Sequence, residues 1–326
     1  MPDSTPLTPA EAHGHCVAAN HEACFSRAMK SSVLAAALAL FSASCTGISA
    51  TGPAQAPGRT LTLAAWNMEH LAEANGSGCR ARTDADYAAL RRYAQDLQAD
   101  VIAFQEVESQ AAAERVFDPA LYTVIIEERV GTNRQGPCRG LTGPTIKAQR
   151  TGLAIRKGIP FERLADFTAV QLGNPDLRSG VDVIVRPGGG APIRLLSVHL
   201  KSGCSSGDGN EACPVLFQQA PVLESWIDQR AREGVRFAVL GDFNRRLTMA
   251  GDTVWADWDD ASPANADLAL ASGDQSARCN PRYRDFIDFI VLDRRATADL
   301  RAFQEHAYAS EALSDHCAIS ASLTRG

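Results

Sequence analysis

Short, wholly apolar runs that end abruptly in polar residues alternate along this chain with longer segments whose apolar positions recur at helical spacing. The sharpest run is Phe237 to Leu240, FAVL, closed by Gly241 and followed at once by Asp242 and Asn244. Apolar at every position, it predicts a buried strand that reaches the edge of its sheet. Thr60 to Trp66 (TLTLAAW), Asp100 to Phe104 (DVIAF) and Ile193 to Val198 (IRLLSV) have the same character. They deliver Asn67, then Gln105 and Glu106, then His199. Between the first two, Thr83 with Asp86 forms a capping box, and Tyr87, Leu90, Ala94 and Leu97 repeat at helical spacing. That predicts an amphipathic helix ending near Gln98. Between Val198 and Phe237, a second helix is marked by Leu216, Leu223, Trp226 and Ile227, with Pro221 in its first turn or at a kink. The order strand, loop, helix, strand therefore occurs twice, with polar residues at both strand ends each time.

Further strands are expected at Tyr122 to Glu127, Thr151 to Lys157, Val181 to Val185, Asp285 to Leu292 with Asp288 in mid-strand, and a terminal strand, AISASL, after Asp315 and His316. Gly188 to Gly190 marks a turn, and residues 247–280 read as irregular, anchored by Trp255 and Trp258. Two similar halves, rich in strands and flanked by helices, predict an α/β (α+β) fold: a four-layer sandwich of two facing mixed β-sheets with helices outside, in one domain over residues 59–326. The polar strand ends of both halves then converge on one rim.

At 326 residues, 45% apolar and 21% charged, the chain has material for one large domain or two small ones. A net charge of -6 excludes a broadly cationic surface, so a nucleic-acid partner would need a local cluster or metal ions. Residues 29–50 read as a signal peptide or lipoprotein signal: Lys30, an apolar run from Val33 to Phe41, then small residues. The run is too short for a permanent membrane span. Met29 stands just ahead of it, so residues 1–28 read as a mis-annotated extension. Cys45 offers a lipid anchor, although Ser42 stands where that signal usually has Leu; the alternative is cleavage after Ala50 and release. Residues 51–58 read as a linker, and the destination is export: periplasmic, secreted or lipid-anchored at the envelope. Six cysteines follow, and an even number in an exported chain favours disulfides. The preferred pairing is Cys204 with Cys213, Cys79 with Cys138, and Cys279 with Cys317. A zinc site is the rival, without the close Cys-x-x-Cys spacing that zinc favours.

Asp242 and Asn244, two apart, would share one face of an extended backbone and could jointly orient a water. The same run also reads as a plain turn. Other strands end alike, and the polar set they deliver is Asn67, Glu106, His199, Asp242, Asn244, Asp288, Asp315 and His316. The segments WNMEHL, FQEV, SVHLKS, VLGDFN, FIDFIVL and LSDHCAI, in this order, resemble the endonuclease/exonuclease/phosphatase superfamily of metal-dependent phosphoesterases. That group holds pancreatic-type deoxyribonucleases, apurinic endonucleases, sphingomyelinases and inositol-polyphosphate phosphatases, and the resemblance spans roughly residues 60 to 323.

The resemblance implies that Glu106 binds a divalent cation, usually magnesium, with manganese or calcium in support. It implies that Asn67 helps hold Glu106 and the water shell, and that Asp315 serves the metal or its waters. Asp242 and Asn244 would position or deprotonate the attacking water. Asp288 would hold His316 in its charged form against a phosphoryl oxygen, and His199 would be the other phosphate contact or acid. Lys201 is a flanking phosphate contact or a solvated charge. Arg150 is a phosphate contact or the ion-pair partner of Glu106. Glu69 is a second ligand or, as favoured here, faces solvent. The implied activity is hydrolysis of a phosphodiester by in-line attack in an exported, monomeric enzyme, most readily a nuclease. A sphingomyelinase-like lipid phosphodiesterase or a phosphomonoesterase would keep the site and differ in the loops. A non-catalytic surface binding module is the reading from another class. No aromatic hairpin for membrane entry stands out, which favours nucleic acid as the partner.

Overall fold

In the first half of the chain, the apolar runs become β1 (Thr60–Leu71), β2 (Val101–Val107), β3 (Tyr122–Ile126) and β4 (Arg150–Arg156), with helices α1 (Asp84–Asp96) and α2 (Gln110–Glu114). The second half supplies β5 (Phe161–Arg163), β6 (Val181–Val185), β7 (Ile193–His199), α3 (Cys213–Glu233), β8 (Phe237–Asp242), α4 (Thr253–Trp258), β9 (Leu268–Leu270) and β10 (Asp288–Asp293). α5 (Arg294–Asp299), β11 (Leu300–His306) and β12 (Ala318–Thr324) complete the fold. This computed structural model describes residues 60–130, 136–263, 266–309 and 313–325. The expected leader, linker and Cys45 lie outside the described residues, and among those no helix is long and apolar enough to cross a membrane.

The strands form two six-stranded mixed sheets, in the orders β11-β12-β1-β2-β4-β3 and β5-β6-β7-β8-β10-β9. Leu61, Leu63, Ala65, Val101 and Ala103 of the first pack with Leu195, Ala238 and Leu240 of the second in one apolar core. On the outer face of the first sheet, Tyr87, Leu90 and Ala94 of α1 cover Trp66 and Phe104. On the outer face of the second, Trp226 of α3 meets Phe237 edge to face. The four-layer sandwich expected from the sequence is the one observed. α1 starts where the capping box requires: Thr83 Oγ1 accepts from the Asp86 N–H, and Asp86 Oδ2 accepts from the Thr83 N–H at 2.7 Å. Pro221 lies well inside α3, not in its first turn.

β1 with β2, and β7 with β8, run parallel, so each pair brings its two C-terminal ends to the same edge. β10 and β12 run antiparallel to their neighbours β8 and β1, so their beginnings reach that edge as well. Asp288 opens β10 opposite Asp242 and is not in mid-strand. The span 247–280 is less irregular than expected, since it holds α4 and β9. The three disulfides are the preferred ones: Cys79–Cys138, Cys204–Cys213 and Cys279–Cys317.

Gly241, the residue before Asp242, has φ +140, and a Cβ there would stand 2.0 Å from the Val198 carbonyl oxygen. The adjoining parallel strand cannot retreat without losing its ladder. Gly241→Ala is therefore expected to destabilise the fold by about 3 kcal/mol, read as a lower melting temperature. A melting temperature within a degree of the parent would show that the two strands can separate freely there.

Candidate active site

Six strands bring their polar ends to one mouth of the sandwich, and several of those ends carry unusual backbone. Glu106 (φ 61) and His70 (φ 53) lie where β1 and β2 lose register, and Asn244 has φ 52. Left-handed non-glycine residues are uncommon and collect at functional sites. β8 ends at Asp242, so Asn244 does not share a strand face with it as expected. Instead the turn folds back, and the Asn244 backbone N–H donates to Asp242 Oδ1 at 2.8 Å, while the Asn244 side chain donates to the Leu200 carbonyl at 3.2 Å.

Asp242 is buried at the centre. Its other oxygen, Oδ2, accepts from Asn67 Nδ2 at 2.9 Å and lies 3.6 Å from His199 Nε2. Burial, reinforced by the charge of Asp288, pushes the Asp242 carboxyl up to about 7. Asn67 thus holds Asp242 and not Glu106, the partner expected from the sequence. The backbone N–H of His70 donates to Glu106 Oε2 at 3.1 Å instead. Burial opposes ionisation of Glu106, but the adjacent His70 ring, the positive field of Arg178 and a hydrogen bond from Gln149 take it below the usual glutamate range.

Of the two predicted histidines, His199 is fully enclosed and neither ring nitrogen has a hydrogen-bond partner among the described residues; Nε2 faces Asp242 and, at 3.9 Å, Glu106 Oε1. Burial, helped by the positive fields of Arg178 and His316, pushes it well below the ordinary histidine value, so the ring is neutral. His316 is the opposite case. Nδ1 and Asp288 Oδ2 are 2.6 Å apart, and Nε2 lies 3.8 Å from Asp315 Oδ1. Burial works against its charge, yet the Asp288 carboxylate, as neighbouring charge and hydrogen-bond acceptor, holds the imidazolium well above the ordinary value. A cavity of about 320 Å³ opens on this pair, walled by Arg246, Tyr283 and Phe286 and closed by the Cys279–Cys317 disulfide.

Two expected residues, Arg150 and Glu69, are placed otherwise, while Lys201 fits its reading as a solvated charge. Arg150 donates to the carbonyls of Glu127 and Arg129, and the arginine whose field acts on Glu106 is Arg178. Lys201 turns Nζ to the Ser202 carbonyl at 2.9 Å. Glu69 does not face solvent: it pairs with Arg80 and accepts from the backbone N–H of Asp315 at 2.8 Å. His70, Gln149 and Arg178 escaped the sequence reading altogether. Only His70 left a signal, its place two residues after Glu69's neighbour Met68 in the quoted run WNMEHL.

The chemistry of the donors decides whether a metal fits. Glu106, Asp242, Asp288 and Asp315 bring four carboxylates to one mouth, and Asp288 Oδ1 is buried with no hydrogen-bond partner among the described residues. Donor atoms of Asp242, Asp288 and His316 lie within 4.8 Å of one another. A charged His316, with Nδ1 committed to Asp288, has no lone pair to offer, so that trio is a hydrogen-bonded cluster first. Oxygen donors around Glu106 suit a hard divalent cation better.

The fold and this mouth define a class, the metal-dependent phosphoesterases built on two facing sheets. The sequence profile of the Endonuclease/Exonuclease/phosphatase family matches residues 64–316, and the chain belongs to that family. It is a phosphoric ester hydrolase of that family. No curated protein matches it. Among solved structures, an endonuclease/exonuclease/phosphatase from Beutenbergia cavernae is similar at 17% identity and TM-score 0.57, covering 82% of this chain and 72% of that one. The human Nocturnin catalytic domain with bound sulfate is similar at 16% and 0.54, covering 81% and 93%. An AP endonuclease from Leishmania major is similar at 14% and 0.53, covering 82% and 89%.

Proposed function

We propose that this chain is an exported, magnesium-dependent phosphodiesterase that hydrolyses nucleic acid by in-line attack of water. The observation that carries the reading is the environment of Asp242: a buried carboxyl, pushed up to about 7 and pinned at both oxygens, beside a neutral and a charged histidine. A base poised near neutral pH and fixed in direction is what activation of a water needs. Asp242 takes the proton, and Asn244 helps orient the water. His316 donates from Nε2 to a phosphoryl oxygen while Asp288 keeps the ring charged and turned. His199, neutral and enclosed, contacts a second oxygen. Glu106, Asn67 and Asp315 would hold the cation, which when bound supplies positive charge against the charge that develops on the phosphate.

An anionic substrate suits the local field better than the net charge of -6 suggests, because Arg178 and Arg129 are buried beside the mouth and both act on His199. Export is supported by the leader-like segment and by three disulfides. The test is turnover of plasmid DNA, RNA, sphingomyelin and p-nitrophenyl phosphate esters, each with magnesium and with chelator. Cleavage of DNA or RNA that chelator abolishes is expected. Metal-dependent turnover of sphingomyelin or of a monoester alone would move the enzyme to another substrate class, and no turnover of any would overturn catalysis.

A further inference from the structure

Three side chains behind the proposed metal ligand form a chain leading to Glu106, to which the Gln149 side chain also hydrogen-bonds directly. Arg178, buried, donates from Nη2 to Gln149 Oε1 at 2.7 Å and from Nε to the Gln149 carbonyl at 3.3 Å. Gln149 Nε2 stands 3.4 Å from His70 Nδ1. His70 Nε2 stands 3.7 Å from Glu106 Oε2, the oxygen that also accepts the His70 backbone N–H.

Proton bookkeeping gives this chain a direction. A guanidinium only donates, so it commits Gln149 Oε1 as an acceptor, and turning the amide over would set its NH2 against Arg178. Gln149 must therefore present its NH2 to His70 Nδ1. That nitrogen then accepts, and the ring proton resides on Nε2, aimed at Glu106. We infer that Arg178 and Gln149 are positioning residues that lock His70 as its Nε2–H tautomer, so that His70 meets Glu106 with a backbone N–H bond and, 3.7 Å away, with a protonated ring nitrogen. The left-handed backbone at both His70 and Glu106 fits a carboxylate that is held in place. The consequence for function rests on the reading of Glu106 as a metal ligand: partners behind a metal ligand fix its orientation and commonly govern metal affinity by tenfold or more.

The test has two readouts. Nitrogen-15 NMR of the metal-free protein reports the tautomer of His70 directly, and wild type is expected to show Nδ1 unprotonated and Nε2 protonated. Gln149→Leu should give a mixture of tautomers. Gln149→Glu, which pairs with Arg178 and offers a carboxylate oxygen to Nδ1, should move the proton to Nδ1. The second readout is Mn2+ binding followed by electron paramagnetic resonance. Gln149→Leu should weaken it about tenfold, while turnover at saturating metal stays within about threefold; Arg178→Leu should weaken it to a similar extent, and Arg178→Lys, which can still donate to Oε1, should recover part of the affinity. A protonated Nδ1 in wild type overturns the proposal, and that measurement stands even where a variant fails to fold. Unchanged Mn2+ affinity in a folded Gln149→Leu overturns it too. Failure of wild type to bind Mn2+ counts against the proposed function instead, and leaves the tautomer to decide the relay.

Discussion

Asp242→Asn should lower turnover by about three orders of magnitude without lowering the melting temperature at pH 8. Two losses combine in the rate. The amide cannot accept the proton of the water, and it cannot keep the geometry either. Asp242 accepts at both oxygens, from Asn244 N–H and from Asn67 Nδ2. Asparagine has one acceptor, so its NH2 faces one of those donors. The stability sign runs the other way. An aspartate whose folded value, about 7, exceeds its unfolded value of 3.8 costs the fold stability at every pH above that range. Removing the charge relieves the cost at pH 8, which offsets the donor-donor contact. Kinetics and thermal melts on the same preparation check both halves. A variant that loses activity only in step with a large fall in melting temperature would make Asp242 a structural residue and remove the base from the proposal.

The same opposition between stability and function explains why the mouth was legible in the sequence while its supports were not. A buried apolar run stopped by a carboxylate, amide or imidazole is costly unless the polar group has work at the strand end. Asn67, Glu106, His199 and Asp242 each announce themselves in that way. The core strands β1, β2, β4, β7, β8 and β10 could be read for a related reason, since burial on both faces leaves a continuous apolar signal. β5, β9 and β11 escaped notice. They are edge strands, short or half exposed, and they owe their conformation to one neighbour more than to their own residues. α2 and α5, of five and six residues, are too short for a helical period to register.

The errors at the site have one physical source. The resemblance assigns Asn67 to Glu106, and Arg150 is offered as a partner of the same carboxylate, but partners there are set by tertiary closure. Asn67 reaches across to the second sheet, and Gln149 and Arg178 arrive from connecting segments. Positive φ at Glu106, His70 and Asn244 is equally silent, because no glycine marks those positions. Glu69 was read as solvent-facing for want of Arg80, eleven residues on, whose approach depends on the loop between them.

Disrupting the His316–Asp288 pair should produce the other large effect, and its signature lies in pH as much as in rate. His316→Ala removes the charged donor at the mouth and is expected to cost about two to three orders of magnitude in turnover. Asp288→Asn is the more telling variant because one charge acts on two neighbours with predictable signs. In the parent it raises Asp242, which must be ionised to accept a proton, and it raises His316, which must be protonated to donate. The parent profile of kcat/KM against pH is therefore a bell whose acid limb is near 7, the limbs belonging to the coupled cluster. With asparagine, both values fall. The acid limb moves down as Asp242 ionises more easily, and the alkaline limb moves down as His316 loses its proton sooner. The ratio of variant to parent activity should thus rise steadily from pH 8 to pH 6. A uniform loss at every pH would mean that Asp288 only holds the ring in place. An upward shift of either limb would contradict the electrostatic reading of the pair, because no removal of a negative charge can stabilise a neighbouring proton.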